Sequence, residues 1–468
     1  MADILQILRL ARVISGAELL QRLQKGRPTL SRATMMRMVR ELGDQVVVRG
    51  AARRTSYAAR RPLRGNGASL PVYRIDAAGR GEQIALLDPI YPAGCALRYE
   101  QALEWPLAPE MRDGWFPGLP YPLDDMRPQG FLGRNFARNY ATLLQVGPDP
   151  QKWPEDDVLY MLAQLGHDSA GNYIIGEAAY RRHLETLRSG HAQLSEADYP
   201  QLAATAMQAG DAGSSAGGEF PKFTAWRVHE GEGAHVIVKF SGNDRTPGVQ
   251  RWSDLLVCEH LALETIGAEL GLAAARSRIC NADQRTFLEV LRFDRHGEFG
   301  RSALCSWAAL DAALFGMAGE NWSRVAARLL AERYISSDTA ARINRLYHFG
   351  RLIANSDMHE GNLAFVPGAP DEPPLALAPA YDMLPMLYAP VRGVELPQRE
   401  YAPALPLPAE QEDWLAAADA AMLFWSAAAA DERISAAFRA VCKSNGRELK
   451  RLRTLVVASP AAATGRRS

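Results

Sequence analysis

A polar loop between two apolar segments is the feature of this chain that most limits its fold and chemistry. Residues 353–354 precede the loop and residues 363–365 follow it, and the loop carries Asp357, His359 and Asn362 in the pattern D-x-H-x-x-N. Phosphotransferases use an Asp followed five residues later by an Asn, because one carboxylate meets the acceptor hydroxyl while a side-chain oxygen of the same loop holds Mg²⁺. The loop therefore predicts a kinase, although the hexapeptide alone also fits a polar loop after a helix.

A second acid stands alone in an apolar stretch twenty residues after Asn362. Asp382 lies within the segment 378–384, just after the apolar run 375–377. A buried carboxylate costs free energy unless it is paired or binds a metal. Asp382 is therefore a candidate second Mg²⁺ ligand beside Asn362, and the alternative is an Asp that caps the start of a helix.

Two upstream segments are suited to holding phosphate groups. Residues 235–240 form a β-branched pattern in which Lys239 interrupts an apolar run, so we expect a strand whose lysine contacts nucleotide phosphates. Residues 213–218 are Gly, Ser and Ala, and such small residues let backbone N–H groups approach phosphate oxygens. The same composition is typical of a flexible linker, which remains the alternative for this segment.

A helix is predicted between the lysine strand and the D-x-H-x-x-N loop. Residues 252–270 carry apolar residues at helical spacing, and Gly271 ends the pattern. In a kinase this helix supplies the acid that pairs with the lysine. Glu259 is the preferred candidate, and Asp254 and Glu264 remain open as alternatives.

A further strand is predicted over residues 286–295, and it ends in a polar corner. A corner of this kind suits the hinge between the two lobes of a kinase. The backbone at Leu291 and Phe293 would then contact the adenine of ATP.

Taken in order, these segments resemble the HipA-like serine/threonine kinases, the toxin family of bacterial toxin–antitoxin systems. The resemblance covers residues 70–455 and rests on S-x-A-G-G-E-x-P-K-F, V-I-V-K-F, L-R-F-D-R, D-x-H-x-x-N and A-P-x-Y-D. Within the family the chain is most similar to the single-gene YjjJ (HipH) type, because a basic segment precedes the kinase part in one polypeptide. The resemblance implies an α+β, two-lobed protein-kinase-like (HipA-like) fold that uses ATP and Mg²⁺.

The resemblance also implies a role for each candidate residue. Asp357 would be the catalytic base, Asn362 and Asp382 would bind Mg²⁺, and His359 would have a structural or phosphate-orienting role. The residues expected to bind ATP are Gly213, Ser215, Ala216, Gly217, Gly218, Lys239, Leu291, Phe293 and His359. The substrate would be a protein, for which the family suggests an aminoacyl-tRNA synthetase or another translation factor.

Two adjacent serines, Ser214 and Ser215, lie at the edge of the glycine loop, where members of this family carry a self-phosphorylated serine. A phosphate on either hydroxyl adds about −1.5 to −2 charges beside the phosphates of ATP. Autophosphorylation would therefore inhibit the enzyme. The alternative is that both serines are simply small residues that allow the loop to form.

The N-terminal end of the chain is strongly basic. Residues 1–65 contain 14 Lys and Arg residues and four acids, whereas the whole chain has a net charge of zero. Such asymmetry indicates a segment that binds a polyanion. The residues after the first 65 are correspondingly acidic overall.

The same basic segment predicts three helices and a hairpin. Ser15 and Ser31 are expected to cap the second and third helices, and strands are expected at 46–49 and 55–58. This order is typical of a winged helix-turn-helix domain that binds duplex DNA. The expected DNA contacts are Arg32, Thr34 and Arg37 on the third helix and Arg53 and Arg54 on the wing. The alternative is a small helical cap whose arginines are only solvated.

The length of 468 residues accommodates about three domains. We expect a winged helix-turn-helix domain at 1–62, a linker at 60–69, a kinase N-terminal lobe with a HipA-like N-subdomain at 70–290, a helical C-terminal lobe at 291–457 and a flexible tail at 458–468. Five scattered cysteines, without a C-x-x-C pair, are expected to be reduced core residues. The sequence has no long apolar run or signal peptide, which predicts a cytoplasmic protein without a membrane partner.

Two other functions remain open at this stage. Phosphoinositide-type kinases also carry D-x-H-x-x-N, so the chain could phosphorylate a lipid or small molecule, although it has no basic amphipathic membrane helix. Alternatively, the chain is a transcription regulator whose kinase fold only senses a nucleotide. The fusion also leaves open a separate antitoxin and a homodimer.

Overall fold

The computed structural model describes residues 2–50, 54–208, 220–391, 395–396 and 398–458. The predicted glycine loop, with Gly213, Ser214, Ser215, Ala216, Gly217 and Gly218, lies outside these residues, as do Arg53 and residues 459–468 of the predicted tail. Among the described residues, every helix is too short or too polar to cross a bilayer.

The N-terminal region has three helices and a small antiparallel sheet. Its elements are α1 (Ala2–Ala11), β1 (Ile14–Ser15), α2 (Gly16–Gln24), α3 (Arg32–Glu41), β2 (Val46–Arg49) and β3 (Ser56–Ala59), and the strand order is β1-β3-β2. The predicted caps are confirmed, because the Ser15 and Ser31 hydroxyls accept hydrogen bonds from the N–H groups of Glu18 and Thr34. Leu8 and Met35 are fully buried in the core that joins the helices to the hairpin.

The hairpin β2–β3 is packed against the next region of the chain. Val47 and Ala58 form one buried cluster with Ile90, Ala96 and Trp115. The second face of the predicted wing is therefore covered by protein, because consecutive apolar residues in both strands give the hairpin two apolar faces.

The segment 60–69, predicted to be a linker, is held by ion pairs along most of its length. Arg60, Arg61 and Arg64 pair with Asp88, Asp156 and Asp157, respectively. These partners lie up to 95 residues away, which is why a local reading of Gly and Arg indicated a linker.

The middle region contains a five-stranded antiparallel sheet in the order β7-β6-β5-β4-β8, with helices packed against it. The strands are β4 (Leu70–Ile75), β5 (Gly81–Pro89), β6 (Cys95–Tyr99), β7 (Trp115–Phe116) and β8 (Tyr173–Ile175). The helices are α4 (Pro109–Arg112), α5 (Tyr121–Asp124), α6 (Gly130–Leu144), α7 (Glu155–Leu165) and α8 (Glu177–Ser189).

A second five-stranded sheet follows in the order β12-β13-β11-β10-β9, so the segment 70–290, predicted as an N-terminal lobe with an N-subdomain, contains two separate sheets. Its elements are β9 (Gln193–Leu194), α9 (Tyr199–Gln208), β10 (Lys222–His229), β11 (Glu232–Phe240), α10 (Pro247–Glu269), β12 (Ser277–Ala282) and β13 (Arg285–Leu291). Helix α10 begins five residues before the predicted start, because Thr246 caps it and Pro247 occupies its first turn, a position that tolerates proline.

The C-terminal region is mainly helical. Its elements are β14 (Arg295–His296), β15 (Gly300–Arg301), β16 (Cys305–Ser306), α11 (Trp307–Leu314), α12 (Trp322–Ala331), α13 (Ser337–Leu352), β17 (Ala364–Pro367), β18 (Leu375–Leu377), α14 (Gln411–Ala430) and α15 (Ala436–Ala458). Trp307, Trp322, Trp414 and Trp425 are buried in its core. The D-x-H-x-x-N loop connects α13 to β17, and the whole chain is a mixed α/β structure.

Candidate active site

Three charged residues from distant parts of the chain meet beneath the second sheet. Lys239 on β11 donates from Nζ to both carboxylate oxygens of Glu259 on α10, at 2.7 and 2.8 Å, and also pairs with Asp382. Lys239 and Glu259 are almost completely buried, whereas Asp382 is partly exposed. We call these three residues the lysine triad.

The burial and the charges of the lysine triad shift the pKa values of all three members. Burial opposes the charge of Lys239, but the attraction of Asp382 and Glu259 outweighs it and raises the Lys239 pKa. Burial also opposes ionisation of Asp382, yet the nearby Lys239 lowers the Asp382 pKa to about 2. Burial raises the pKa of Glu259 to about 7, despite Lys239. Lys239 and Asp382 therefore carry their charges at neutral pH.

Of the three acids proposed as partners of the lysine, the structure places Glu259 in contact with it. Asp254 lies on the side of α10 that meets the start of α15, and it accepts hydrogen bonds from the backbone N–H and the hydroxyl of Ser435. Glu264 lies on the exposed side of the helix, 3.6 Å from His260. Helical spacing alone does not distinguish acids that lie on neighbouring faces.

The D-x-H-x-x-N loop is organised by its own side chains. Asn362 donates from Nδ2 to the carbonyl oxygen of Asp357 at 2.8 Å, and His359 accepts a hydrogen bond from the N–H of Gly361 through Nδ1 at 3.0 Å. The carboxylate of Asp357 is exposed. Two side chains of the loop therefore bond to its backbone, and the carboxylate of Asp357 faces solvent.

Asn355 was not predicted as a site residue, yet it joins the loop to the lysine triad. It is 2% exposed, donates to the carbonyl oxygen of Asp382 at 3.2 Å and accepts from the N–H of Asp357 at 3.0 Å. Tyr381 adds a second link through a 2.7 Å hydrogen bond to the carbonyl oxygen of Gly361. A polar Asn directly after the apolar pair 353–354 is the sequence signal that could have identified Asn355.

The backbone around Asp382 has an unusual conformation. Its φ is 53°, in the left-handed region that residues other than glycine seldom adopt. The next short helix begins after Pro385, so Asp382 does not cap it. The conformation presents the Asp382 carboxylate to Lys239, and such strain is common at functional sites.

The chemistry of two residues fits the predicted Mg²⁺ site. Asp382 supplies a carboxylate, and Asn362 has its amide nitrogen committed to Asp357, which leaves the amide oxygen as its ligand atom. Mg²⁺ prefers such oxygen ligands and is usually held by one or two protein groups together with phosphates and waters. The described residues contain no cluster of three or more His, Cys, Asp or Glu side chains suited to a metal.

The predicted hinge lies beside a cavity of about 340 Å³, which Leu291 and Phe293 both line. The N–H of Leu291 donates to the carbonyl oxygen of Arg276 at 2.8 Å, so this group is already used within the protein. The ring of Phe293 lies 5.9 Å from the ring of Tyr381, the neighbour of Asp382. An adenine contact through the Leu291 N–H would therefore require this hydrogen bond to break.

The predicted DNA-contacting residues differ in how accessible they are. Arg32 and Arg37 are exposed on α3, whereas the hydroxyl of Thr34 lies 3.0 Å from that of Ser31, within the helix cap. Arg54 is exposed but lies 3.4 Å from Asp113 of the middle region. Only some of the predicted DNA-contacting arginines of the N-terminal region are therefore accessible to a binding partner.

Family models and relatives match most of the chain. Residues 66–184 match the middle domain of YjjJ-like toxins, and residues 214–446 match the HipA-like C-terminal domain. The toxin YjjJ of Escherichia coli (strain K12) is 36% identical over 442 residues, which cover 94% of this chain and 95% of that protein.

Two solved structures show a weaker similarity. A chain of the Shewanella oneidensis MR-1 toxin–antitoxin complex of HipA, HipB and operator DNA matches with a TM-score of 0.48 and 16% identity, covering 83% of this chain and 96% of that one. The Helicobacter pylori proinflammatory kinase CtkA matches with a TM-score of 0.37 and 13% identity, covering 53% and 93%. The sequence relationship alone carries the assignment: the chain belongs to the YjjJ-like toxins, of the HipA-like type.

Proposed function

We propose that this chain is a Mg²⁺- and ATP-dependent protein serine/threonine kinase. The observation that carries the proposal is the lysine triad together with Asn355. These residues join a lysine, its paired glutamate, a candidate metal-binding aspartate and the loop of Asp357 into one connected site. The same residue types hold ATP and its metal ions in protein kinases.

Each residue has a distinct part in the proposed reaction. Asp357 accepts the proton of the acceptor hydroxyl and orients it towards the terminal phosphate of ATP. Lys239 contacts the phosphates, and Glu259 holds its ammonium group in place. Asn362 and Asp382 would hold Mg²⁺, which neutralises charge on the phosphates when it is bound.

A phosphate-transfer assay with radiolabelled ATP tests this proposal. Wild-type protein should label itself or an added protein, and Asp357→Asn should lower the rate by about 10²- to 10⁴-fold, the usual loss for a general base. Asp371→Asn, which alters an exposed acid in the loop between β17 and β18, is the matched control and should retain the wild-type rate.

Nucleotide binding without any transfer by the folded wild-type protein would instead support the alternative of a nucleotide-sensing transcription regulator. Transfer to lipid vesicles, but to no protein, would support a lipid kinase.

We also infer that Ser214 or Ser215 accepts phosphate from the same active site and that this modification inhibits the enzyme. Mass spectrometry of protein incubated with ATP and Mg²⁺ should find phosphate on residues 213–218 of the wild type but not of Asp357→Asn. An unmodified loop in an enzyme that phosphorylates other proteins would reject autophosphorylation at these serines.

For the N-terminal region we infer duplex DNA binding through a winged helix-turn-helix. The support is the exposed pair Arg32 and Arg37 on α3, a helix whose start is fixed by the Ser31 cap. In the full chain, loss of either arginine should reduce the slope of log K against log salt by about 0.9. The matched control is Arg22→Ala, because Arg22 is exposed on α2 but paired with Glu18 at 2.6 Å.

If the slope of log K against log salt were the same after loss of Arg32, after loss of Arg37 and in Arg22→Ala, α3 would be removed from the proposed DNA interface.

A further inference from the structure

A small cavity of about 140 Å³ lies where the middle region meets the second sheet, and no step of the proposed reaction uses it. Its wall includes Arg295 and Arg301 together with His183, His191 and His235. Residues of α8, β11 and the hairpin of β14 and β15 line the cavity. We call it the junction cavity.

Arg301, one of the residues that line this cavity, has an unpartnered donor. Arg301 is 8% exposed, and its Nη2 donates to the carbonyl oxygen of His167. Its Nη1 is buried and has no hydrogen-bond partner among the described residues. A buried guanidinium N–H without an acceptor costs free energy, so a ligand that accepts from it would be favoured.

Among the described residues, Arg301 lacks the carboxylate partners that its two neighbouring arginines have. Arg292 and Arg295 both pair with Asp168 and Asp294, at distances from 2.6 to 3.4 Å. Arg301 forms no ion pair within the described part of the chain. We call these five residues the arginine cluster, which has three cations and two carboxylates.

Burial is the main influence on the pKa values of the groups around the cavity. Burial and then the charge of Arg295 lower the pKa of Arg301 to about 9. Burial likewise lowers the pKa of His183 and His235 to about 4, with Arg301 and His191, respectively, contributing. His183 and His235 are therefore neutral at pH 7, and each donates its one ring N–H to a carbonyl oxygen, of Gly79 and Glu298, respectively. The donors for an oxyanion must then come from arginine.

The other acid at the cavity wall, Glu298, is partly committed to the backbone. Its Oε1 accepts a hydrogen bond from the N–H of His191 at 3.0 Å. The carbonyl oxygen of Glu298 lies 2.8 Å from Nε2 of His235. Glu298 therefore has no contact with Arg301 that would satisfy the free Nη1.

We propose that the junction cavity binds a small tetrahedral oxyanion, either inorganic phosphate or the phosphoryl group of a larger molecule, with Arg301 as the principal donor. Charge-assisted hydrogen bonds from a guanidinium suit a phosphate oxygen. The volume of about 140 Å³ is below the range of sites that enclose a drug-sized ligand, about 300–1,000 Å³, so a whole nucleotide is excluded. This site is separate from the lysine triad and does not depend on the proposed kinase activity.

Anion binding should stabilise the contact between the two regions that form the cavity. Asp168 and His167 belong to the middle region, whereas Arg295 and Arg301 follow the second sheet. A ligand that binds only the folded protein raises the free energy of unfolding as its concentration increases. The junction should therefore become more resistant to heat in the presence of phosphate.

Isothermal titration calorimetry and thermal unfolding of the full chain test the proposal. Millimolar sodium phosphate, compared with sodium chloride at equal ionic strength, should give saturable binding and a saturable rise in Tm. Low concentrations are needed because phosphate at high concentration stabilises proteins generally by exclusion from their surface. O-phosphoserine, used in parallel, distinguishes a free anion from a phosphoryl group on a larger molecule.

Two arginine variants connect the effect to the cavity. Arg301→Met should abolish the phosphate-dependent rise in Tm, whereas Arg251→Met, at a buried arginine stacked on Phe438, should keep it. Phosphate that binds only at the proposed ATP site would raise the Tm of both variants equally. That result, or no saturable binding to the wild type, would overturn the proposal.

A second pair of variants serves if Arg301→Met does not fold. Thr186 lies on the wall of the cavity, on the partly exposed helix α8. Thr186→Glu would bring a carboxylate to the site and should remove phosphate binding, whereas the uncharged Thr186→Gln should bind at least tenfold more tightly than Thr186→Glu. Equal affinities for phosphate in the two variants would contradict an anion site here.

Discussion

The lysine triad and the arginine cluster are groups of mixed charge, each with one partly exposed carboxylate, but their balances are opposite. The triad has one cation and two carboxylates, and the cluster has three cations and two carboxylates. Buried charges are stable only when they are paired, and an excess of one sign favours a ligand of the other sign. This difference underlies the cation site proposed at the triad and the anion site proposed at the cluster.

The largest expected effect follows from removing one carboxylate from each group. Asp382→Asn should lower the rate of phosphate transfer by at least about 10²-fold, because an electrostatic contact made in the transition state is lost. Asp168→Asn removes a carboxylate from the arginine cluster and should leave this rate unchanged. Initial rates with radiolabelled ATP, with circular dichroism to verify folding, measure both. A wild-type rate for Asp382→Asn would refute its role in holding Mg²⁺.

An intermediate effect concerns the pH dependence of stability. The pKa of Glu259 is about 7 in the folded protein, whereas its ordinary value is 4.5. Between pH 4.5 and 7 the folded protein therefore binds a proton at Glu259 that the unfolded protein has released. Its contribution is fully present below pH 4.5 and is lost as the pH rises through 7, a change on the order of 3 kcal/mol. Urea unfolding of the wild type and Glu259→Gln should show this change as a difference that decreases with pH.

A constant difference in the free energy of unfolding between the wild type and Glu259→Gln from pH 4.5 to 8 would show that the Glu259 pKa is not raised.

The smallest effect sharpens the assignment of the arginine cluster. Asp168 is partly exposed at the cavity, with 44% of its side chain accessible. Asp168→Asn should therefore increase the affinity for phosphate only about two- to fivefold, as expected for a solvent-screened charge. Calorimetric titration measures this change. Weaker binding by the folded variant would mean that Asp168 helps to form the site rather than opposing the anion.

Features that depend on neighbours along the chain were predictable from the sequence. The caps at Ser15 and Ser31, the strand that carries Lys239 and the D-x-H-x-x-N loop between α13 and β17 all lie where the local pattern placed them. Caps and strand alternation arise from contacts within a few residues, so the sequence displays them directly.

The predictions were less complete where a partner lies far away in sequence. Asn355 was missed because its role depends on Asp382, 27 residues later. The arginines of segment 60–69 suggested an exposed linker, but their carboxylate partners are supplied by the middle region. The local sequence does not distinguish an arginine that faces a solvent-exposed phosphate from one that pairs with a buried aspartate.

The sequence by itself determined the family, the local elements and the residue types that could perform phosphate transfer. Only the tertiary structure decided which charges meet: Lys239 pairs with Asp382 across 143 residues, and the arginine cluster joins residues more than 120 positions apart. The physical reason is that charge pairing depends on distance in space and on burial, which chain packing sets. The excess of negative charge in one group and of positive charge in the other therefore became visible only in the folded chain.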